Sequence, residues 1–270
     1  MSQMADFFKN LTLPTMPEVA HELIRSLNDD DAPLAQVRNA IAKDPALAVK
    51  LLRLANSARY GASRSVSTID DAIALVGAGQ VRTLALSSCL NDAFPVVPGL
   101  NRDTFWRESQ VCGGYAQWLA SSIGSDSDQA WLTGFMVRLG ELVMAQNIPG
   151  CLNDIEKLPH HPGARWERES AVLGFTEGQV TAEMARRWNF PEAVVHALDA
   201  SADPMAARPF SRLGAVLHVA EMLAETDAST TPDAVDGLPT DVLAALHVDA
   251  DWMRSRLPQA QAFVDASTLH

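Results

Sequence analysis

Cysteine is scarce in this sequence, and so are basic charge and long apolar runs. The three cysteines, Cys89, Cys112 and Cys151, lie far apart with no CxxC pair. That excludes a disulfide framework or a zinc knuckle as an organising device, and three buried thiols in a reducing cytoplasm are expected. No run approaches the roughly 20 apolar residues of a membrane helix. The opening MSQMADFFKN has no basic region followed by an apolar stretch, so no secretory leader is expected. Basic side chains number 21 against 33 acidic ones, a net charge of −12. Such a surface repels phosphate backbones at long range, which argues against general nucleic-acid binding. Alternating β-branched runs are absent too, so no sheet is expected.

What is present is an ordinary globular composition. The 270 residues are 47% hydrophobic and 20% charged, enough to bury a core in one large or two small domains. The charge is unevenly split: residues 1–100 carry net −1 and residues 101–270 net −11. Between these parts, AFPVVPGLN (93–101) interrupts helical pattern on both sides. This predicts a helical lobe over 1–97 and a second over 98–270.

Both halves read as helices. Pro17 stands near a helix start, with Val19, Leu23, Ile24 and Leu27 at helical spacing. Leu34, Val37 and Ile41 form the stripe of a second helix. Asp44 is an N-cap with Pro45 at the first helical position, and Leu47, Leu51, Leu54 and Ala55 make the buried face before Gly61. Thr68 caps a further helix, with Asp71 three residues on, Ile69, Ile73 and Val76 on its apolar face, and Gly77 at its end. In the second half, FWRESQVCGGYAQWLASSIG, DQAWLTGFMVRLGELVMAQN, WERESAVLGF, TEGQVTAEMARRWN, PEAVVHALDAS and SRLGAVLHVAEMLAETD each show helical spacing. The tail DVLAALHVDADWMRSRL reads as an amphipathic pair or one broken helix, anchored by Trp252 and Leu257. All six tryptophans fall in this half and are expected mostly in the core.

The phrases LPTMPEVAHELIRSLND, IAKDPALAVKLLRLANSARYG and STIDDAIALVGAGQVRTLAL carry a family resemblance. They are similar to the HDOD family, regulatory relatives of the HD phosphohydrolases. The middle phrase is the most specific, and weaker likeness runs through FWRES, GFMVRLGELVM, LGFTEGQVTAEMARRWNFP and VLHVAEMLA. The resemblance spans roughly residues 10–225. It implies an all-α fold in which a helical N-terminal lobe packs on an HD-like helical bundle.

It also implies a metal site that this sequence has lost. An HD hydrolase gathers His and Asp ligands around divalent metal, which lowers the pKa of a bound water. Here Glu108 stands where the first His is expected, Val137-Arg138 replaces the His-Asp pair, and Glu177 sits where a later His lies. Valine offers no ligand atom, arginine adds a permanent positive charge, and no His-Asp dipeptide occurs anywhere in the chain. No catalytic residue, metal or cofactor is therefore expected. Arg138 is a candidate to pair with Glu108 or Glu177, a salt bridge standing in for the metal.

Other patterns carry less. His160-His161 reads as an exposed loop; His196/Asp199 and His218/Glu221 are i,i+3 pairs better explained by local pairing or core packing. No HExxH, GxSxG or GxxxxGK[ST] motif occurs, and Gly77-Ala78-Gly79 follows a helix where a dinucleotide loop needs a strand. The two glycines beside Cys112 argue for helix packing over a catalytic thiol. Arg53, Arg59, Arg64 and Arg82, with Lys43 and Lys50, could form a basic patch, though scattered charges on solvated helices explain them as well. Arg53, Asn56, Ser57, Arg59 and Tyr60 form a candidate binding surface, with helix capping the alternative for the polar ones. The expected function is a non-enzymatic bacterial signal-transduction regulator that is cytoplasmic and binds a partner protein. A metal-dependent phosphohydrolase of nucleotide phosphoesters and a nucleotide-sensing module are the alternatives.

Overall fold

A computed structural model describes residues 3–9, 11, 13–29, 34–56, 65–94, 97, 99–161, 163–226 and 233–264. The described residues are helical, with no strand among them. In chain order the helices are α1 (Gln3–Lys9), α2 (Glu18–Leu27), α3 (Leu34–Ala42), α4 (Pro45–Ala55), α5 (Ile69–Val76), α6 (Ala78–Ala93), α7 (Arg102–Ser122), α8 (Ser127–Met136), α9 (Leu139–Asn147), α10 (Cys151–Glu156), α11 (Ala164–Leu173), α12 (Glu177–Arg187), α13 (Glu192–Asp199), α14 (Arg212–Glu225), α15 (Asp233–Asp236), α16 (Thr240–Leu246) and α17 (Ala250–Arg256). A 3-10 turn, Ala260–Phe263, follows. No single helix among the described residues is long and apolar enough to cross a membrane; α5 and α6 reach that length together but are bent by 116°.

These helices form two compact units. The smaller holds α2 to α6 and Arg187–Pro191; the larger holds α1, α7 to α17 and the 3-10 turn. The division expected at 97/98 differs from this in two places, and side chains give the reason. The Phe7 ring of α1 lies 5.3 Å from Phe175 in the larger unit. In the smaller unit Trp188 meets Phe94 edge-on at 6.4 Å, and Asn28 donates to the Asn189 carbonyl at 3.0 Å.

In the smaller unit, local rules set the helix ends. The Asp44 side chain accepts the Leu47 N–H at 3.0 Å, with Pro45 following where its missing N–H loses nothing. Thr68 Oγ1 accepts the Asp71 N–H at 3.0 Å, and Gly77, at φ 93°, separates α5 from α6. Leu47, Leu51, Leu54 and Ala55 are buried as the pattern requires. Two stripes depart from expectation. Val37 and Ile41 of α3 are buried but Leu34, the first residue of the helix, is 59% exposed. On α5 only Ala72 is fully buried; Ile69, Ile73 and Val76 are half-buried. Burial of the Cys89 thiol here pushes its pKa up to about 12.

The larger unit is built around α7, packed against α8 and α14. Gly113 and Gly134 face each other at the α7–α8 crossing. A Cβ on Gly113 would lie 2.9 Å from the Trp131 carbonyl oxygen, so only glycine lets the helices close this far. Trp106, Phe135 and Trp131 stack face to face at 5.4 and 5.2 Å beside this crossing. The tail forms two helices, α16 and α17. Its buried side chains include Val242, Leu243, Leu246 and Met253, while Trp252 is 37% exposed and stacks on Trp118 at 5.3 Å.

Candidate functional site

The run from Asp128 to Asn147 reads as one helix in the sequence but is two. It breaks at Val137-Arg138, between α8 and α9. The cause is tertiary. Gly140 abuts the backbone of Glu177, and a Cβ there would lie 2.1 Å from the Glu177 carbonyl oxygen. Thr181 fixes the approach: its hydroxyl accepts the Gly140 N–H at 2.8 Å and lies 2.9 Å from the carbonyls of Val137 and Glu177, one of which takes its proton. The break aims the Arg138 side chain toward α7 and α12. Val137 is fully buried among the core residues.

Arg138 therefore meets both partners anticipated for it. Its Nη1 donates to Glu108 Oε2, and its Nε lies 4.0 Å from Glu177 Oε2. Its Nη2 also donates to Glu141 Oε2 at 2.8 Å. Behind this pair lies a second guanidinium, Arg165 of α11. It lies 3.2 Å from each of Glu141, Glu169 and Glu177, and 3.3 Å from Glu156. A third, Arg168, reaches Glu156 at 3.1 Å and His160 at 3.2 Å. Glu169 accepts the backbone N–H of Glu177 at 2.8 Å. The result is a buried charge centre of alternating guanidinium and carboxylate groups.

The electrostatics follow from burial. Desolvation opposes the charge on Arg138, but Glu141 and its neighbours outweigh it and hold the guanidinium above its ordinary pKa. Burial also pushes Glu141 upward, yet Arg165 and Arg138 prevail and hold it below the usual carboxylate range. Glu169 and Glu221 go the other way. Burial, reinforced by the Glu177 charge, pushes both well above the ordinary range. No donor reaches either oxygen of Glu221. Burial and the neighbouring Glu177 carboxylate favour the protonated form of Glu221. Burial likewise drives the Cys112 thiol well above its ordinary value and denies it thiolate character.

This donor set does not fit a divalent metal. Val137 supplies no ligand atom, and the Arg138 guanidinium fills the space between Glu108 and Glu141. His218 is committed elsewhere: Nδ1 lies 2.7 Å from the Ser201 carbonyl oxygen, the ring stacks on Trp166 at 4.5 Å, and burial lowers its pKa. Among the described residues no group of three His, Cys, Asp or Glu side chains is placed to hold a metal ion.

Glu108, Val137, Arg138 and Glu177 thus meet at one place. Sequence reasoning missed Glu141, Glu156, Arg165, Arg168 and Glu169; the i,i+4 spacing of Arg165 and Glu169 was the available signal. The candidate surface on the smaller unit is only partly described. Arg53 is exposed on α4. Asn56 is structural: its amide donates to the Leu52 and Val66 carbonyls at 2.7 Å each and accepts the Val66 N–H at 2.8 Å. Ser57, Arg59 and Tyr60, with Gly61 and Arg64, lie outside the described residues. Of the wider basic patch, Lys43 pairs with Glu22 and Lys50 with Asp92, each at 2.6 Å, and Arg82 donates to the Ser26 carbonyl at 2.9 Å.

The described residues are helical, and a guanidinium–carboxylate centre lies at the break between two of the helices. The HDOD domain profile matches residues 13–204, and the chain belongs to the HDOD family. An uncharacterized protein of Treponema pallidum (strain Nichols) is 26% identical over 191 residues, which are 69% of this chain and 37% of that protein. The chain thus spans little more than a third of that relative. An HDOD domain protein of unknown function from Geobacter sulfurreducens matches 98% of this chain and 97% of its own, with a TM-score of 0.79 at 20% identity. A candidate phosphohydrolase from Shewanella amazonensis SB2B matches 99% and 95%, at TM-score 0.77 and 24% identity. A candidate signal transduction protein from Marinobacter aquaeolei VT8 matches 99% of this chain and 63% of its own, at TM-score 0.78 and 22% identity. At these identities the likeness establishes the fold.

Proposed function

We propose that this chain is a non-catalytic HDOD module that acts in signal transduction by binding a partner protein. The observation that carries this reading is Arg138. By the sequence resemblance it takes the place of a metal-ligating Asp of the HD enzymes, and its guanidinium is spent on Glu108 and Glu141. A hydrolytic centre needs a cation that sharpens water into a nucleophile. A guanidinium neutralises the same carboxylates but has no open coordination position for water. The signal-transduction part of the reading is supported by family membership and by the likeness to the Marinobacter protein.

The test is direct. The purified chain is analysed for bound transition metals and assayed against a panel of nucleotide phosphoesters with added Mn²⁺ or Mg²⁺. Substoichiometric metal and no release of phosphate are expected. Stoichiometric metal with turnover abolished by chelation would overturn the proposal. Affinity capture from the native host then identifies the partner.

A further inference from the structure

We propose that the cavity at the mouth of the charge centre binds a phosphate group, free or as a small monoester, and that Glu156 holds the anion's place in its absence. The inference rests on the non-catalytic reading in one respect, that the ligand is held and not hydrolysed. The cavity is about 440 Å³, and Arg138, Arg165, Arg168, His160 and His161 line it together with acidic neighbours.

Glu156 differs from the other carboxylates that meet Arg165. Glu169 and Glu177 are fully buried and Glu141 nearly so, whereas the Glu156 side chain is 47% exposed. It reaches in from the end of α10 and bridges two guanidinium groups, one oxygen on each. Oε1 lies 3.3 Å from Arg165 and Oε2 3.1 Å from Arg168. Both arginine side chains are more than nine-tenths buried. His160 Nε2 stands 3.2 Å from the same Oε2. A carboxylate spanning two buried guanidinium groups at a cavity mouth is how a bound anion is held.

The carboxylate does not satisfy these donors. Arg168 Nε is buried without a hydrogen-bond partner, and Arg165 Nη2 has the 3.2 Å ion pair with Glu141 but no well-aligned hydrogen bond. Buried N–H groups in that state are costly, and a group with more acceptor oxygens relieves the cost. Glu156 offers two oxygens; a phosphomonoester offers three at tetrahedral angles and carries more charge. A divalent cation in the same cavity would face the guanidinium groups. The cavity volume leaves room for an organic body on the phosphate.

The experiment is calorimetric titration of the full chain with inorganic phosphate and, separately, with adenosine 5′-monophosphate. Glu156→Gln removes the competing charge and retains most of the side chain's volume. It is expected to bind phosphate about tenfold more tightly than the wild type, about 1.4 kcal/mol. Adding Arg168→Lys, which removes the planar fork, is expected to abolish the gain. Tighter binding of the nucleotide identifies a monoester site; equal binding identifies a site for the free anion. The inference is overturned if Glu156→Gln binds no more tightly than wild type, or if neither probe binds up to about 10 mM. Circular dichroism confirms that each variant is folded, and Glu156→Ala replaces any that is not. Release of phosphate from the nucleotide by the wild type would defeat the non-catalytic reading and leave the binding site standing. Absent binding without hydrolysis would defeat this inference alone.

Discussion

The proton that burial favours on Glu221 makes a prediction about stability and pH. Glu221 is 1% exposed, lies on α14, and has no donor to either oxygen. Burial, then the charge of Glu177, raises its pKa well above the ordinary carboxylate value; Glu225 adds to the rise and Arg138 opposes it. In the unfolded chain the same group titrates near pH 4.3. Above that pH the native state holds a proton that the unfolded state has released. Stability therefore falls as pH rises, until the folded pKa is passed. One such proton contributes about 1.4 kcal/mol per pH unit over the range between the unfolded and the folded pKa. Glu221→Gln keeps the shape and cannot ionise. Relative to wild type its stability should rise with pH over that range, by about 1.4 kcal/mol per pH unit. The assay is urea unfolding followed by circular dichroism at pH 5, 6 and 7 on both proteins. Glu169, Glu225 and His218 titrate in both proteins, so only the difference between the two curves reports on Glu221. Parallel curves would refute the raised pKa of Glu221.

Two further substitutions test the charge centre and the break that positions it. Arg138→Met leaves Glu108, Glu141 and Glu177 without this counter-charge and should cost about 3–5 kcal/mol at pH 7. Part of that loss should be recovered toward pH 5 as Glu141, no longer held down by Arg138, takes up a proton; a urea-midpoint loss under about 1 kcal/mol would show that Arg138 is dispensable to the fold. Gly140→Ala would put a methyl 2.1 Å from the Glu177 carbonyl oxygen and force α9 away from α12. A cost of about 3 kcal/mol in thermal unfolding is expected, and an unchanged melting temperature would mean that the contact yields freely.

How much of this was legible in the sequence depends on how local the cause is. The cap of α4 needed only Asp44 and Pro45, and the cap of α5 only Thr68 and Asp71, so both could be read directly. The break at Val137-Arg138 could not. LTGFMVRLGELVM keeps helical spacing through it, and the interruption comes from Gly140 meeting Glu177, 37 positions along the chain. The residue types at 108, 138 and 177 suggested a pairing. They did not announce that the pairing would be shared. Arg165, Glu169 and Glu221 sit on helices whose charges a periodicity reading assigns to solvent. Arg165 and Glu169 are buried with partners on another helix, because a buried charge left unpaired would not survive the desolvation penalty, whereas burial favours the protonated form of Glu221. Mutual neutralisation is therefore a property of α7, α9, α11 and α12 together, and no one of their sequences contains it. The same logic makes Glu156 informative. It bridges two buried arginines while remaining half-exposed, so it is the member of the centre that solvent, or a competing anion, can replace without unpacking a helix.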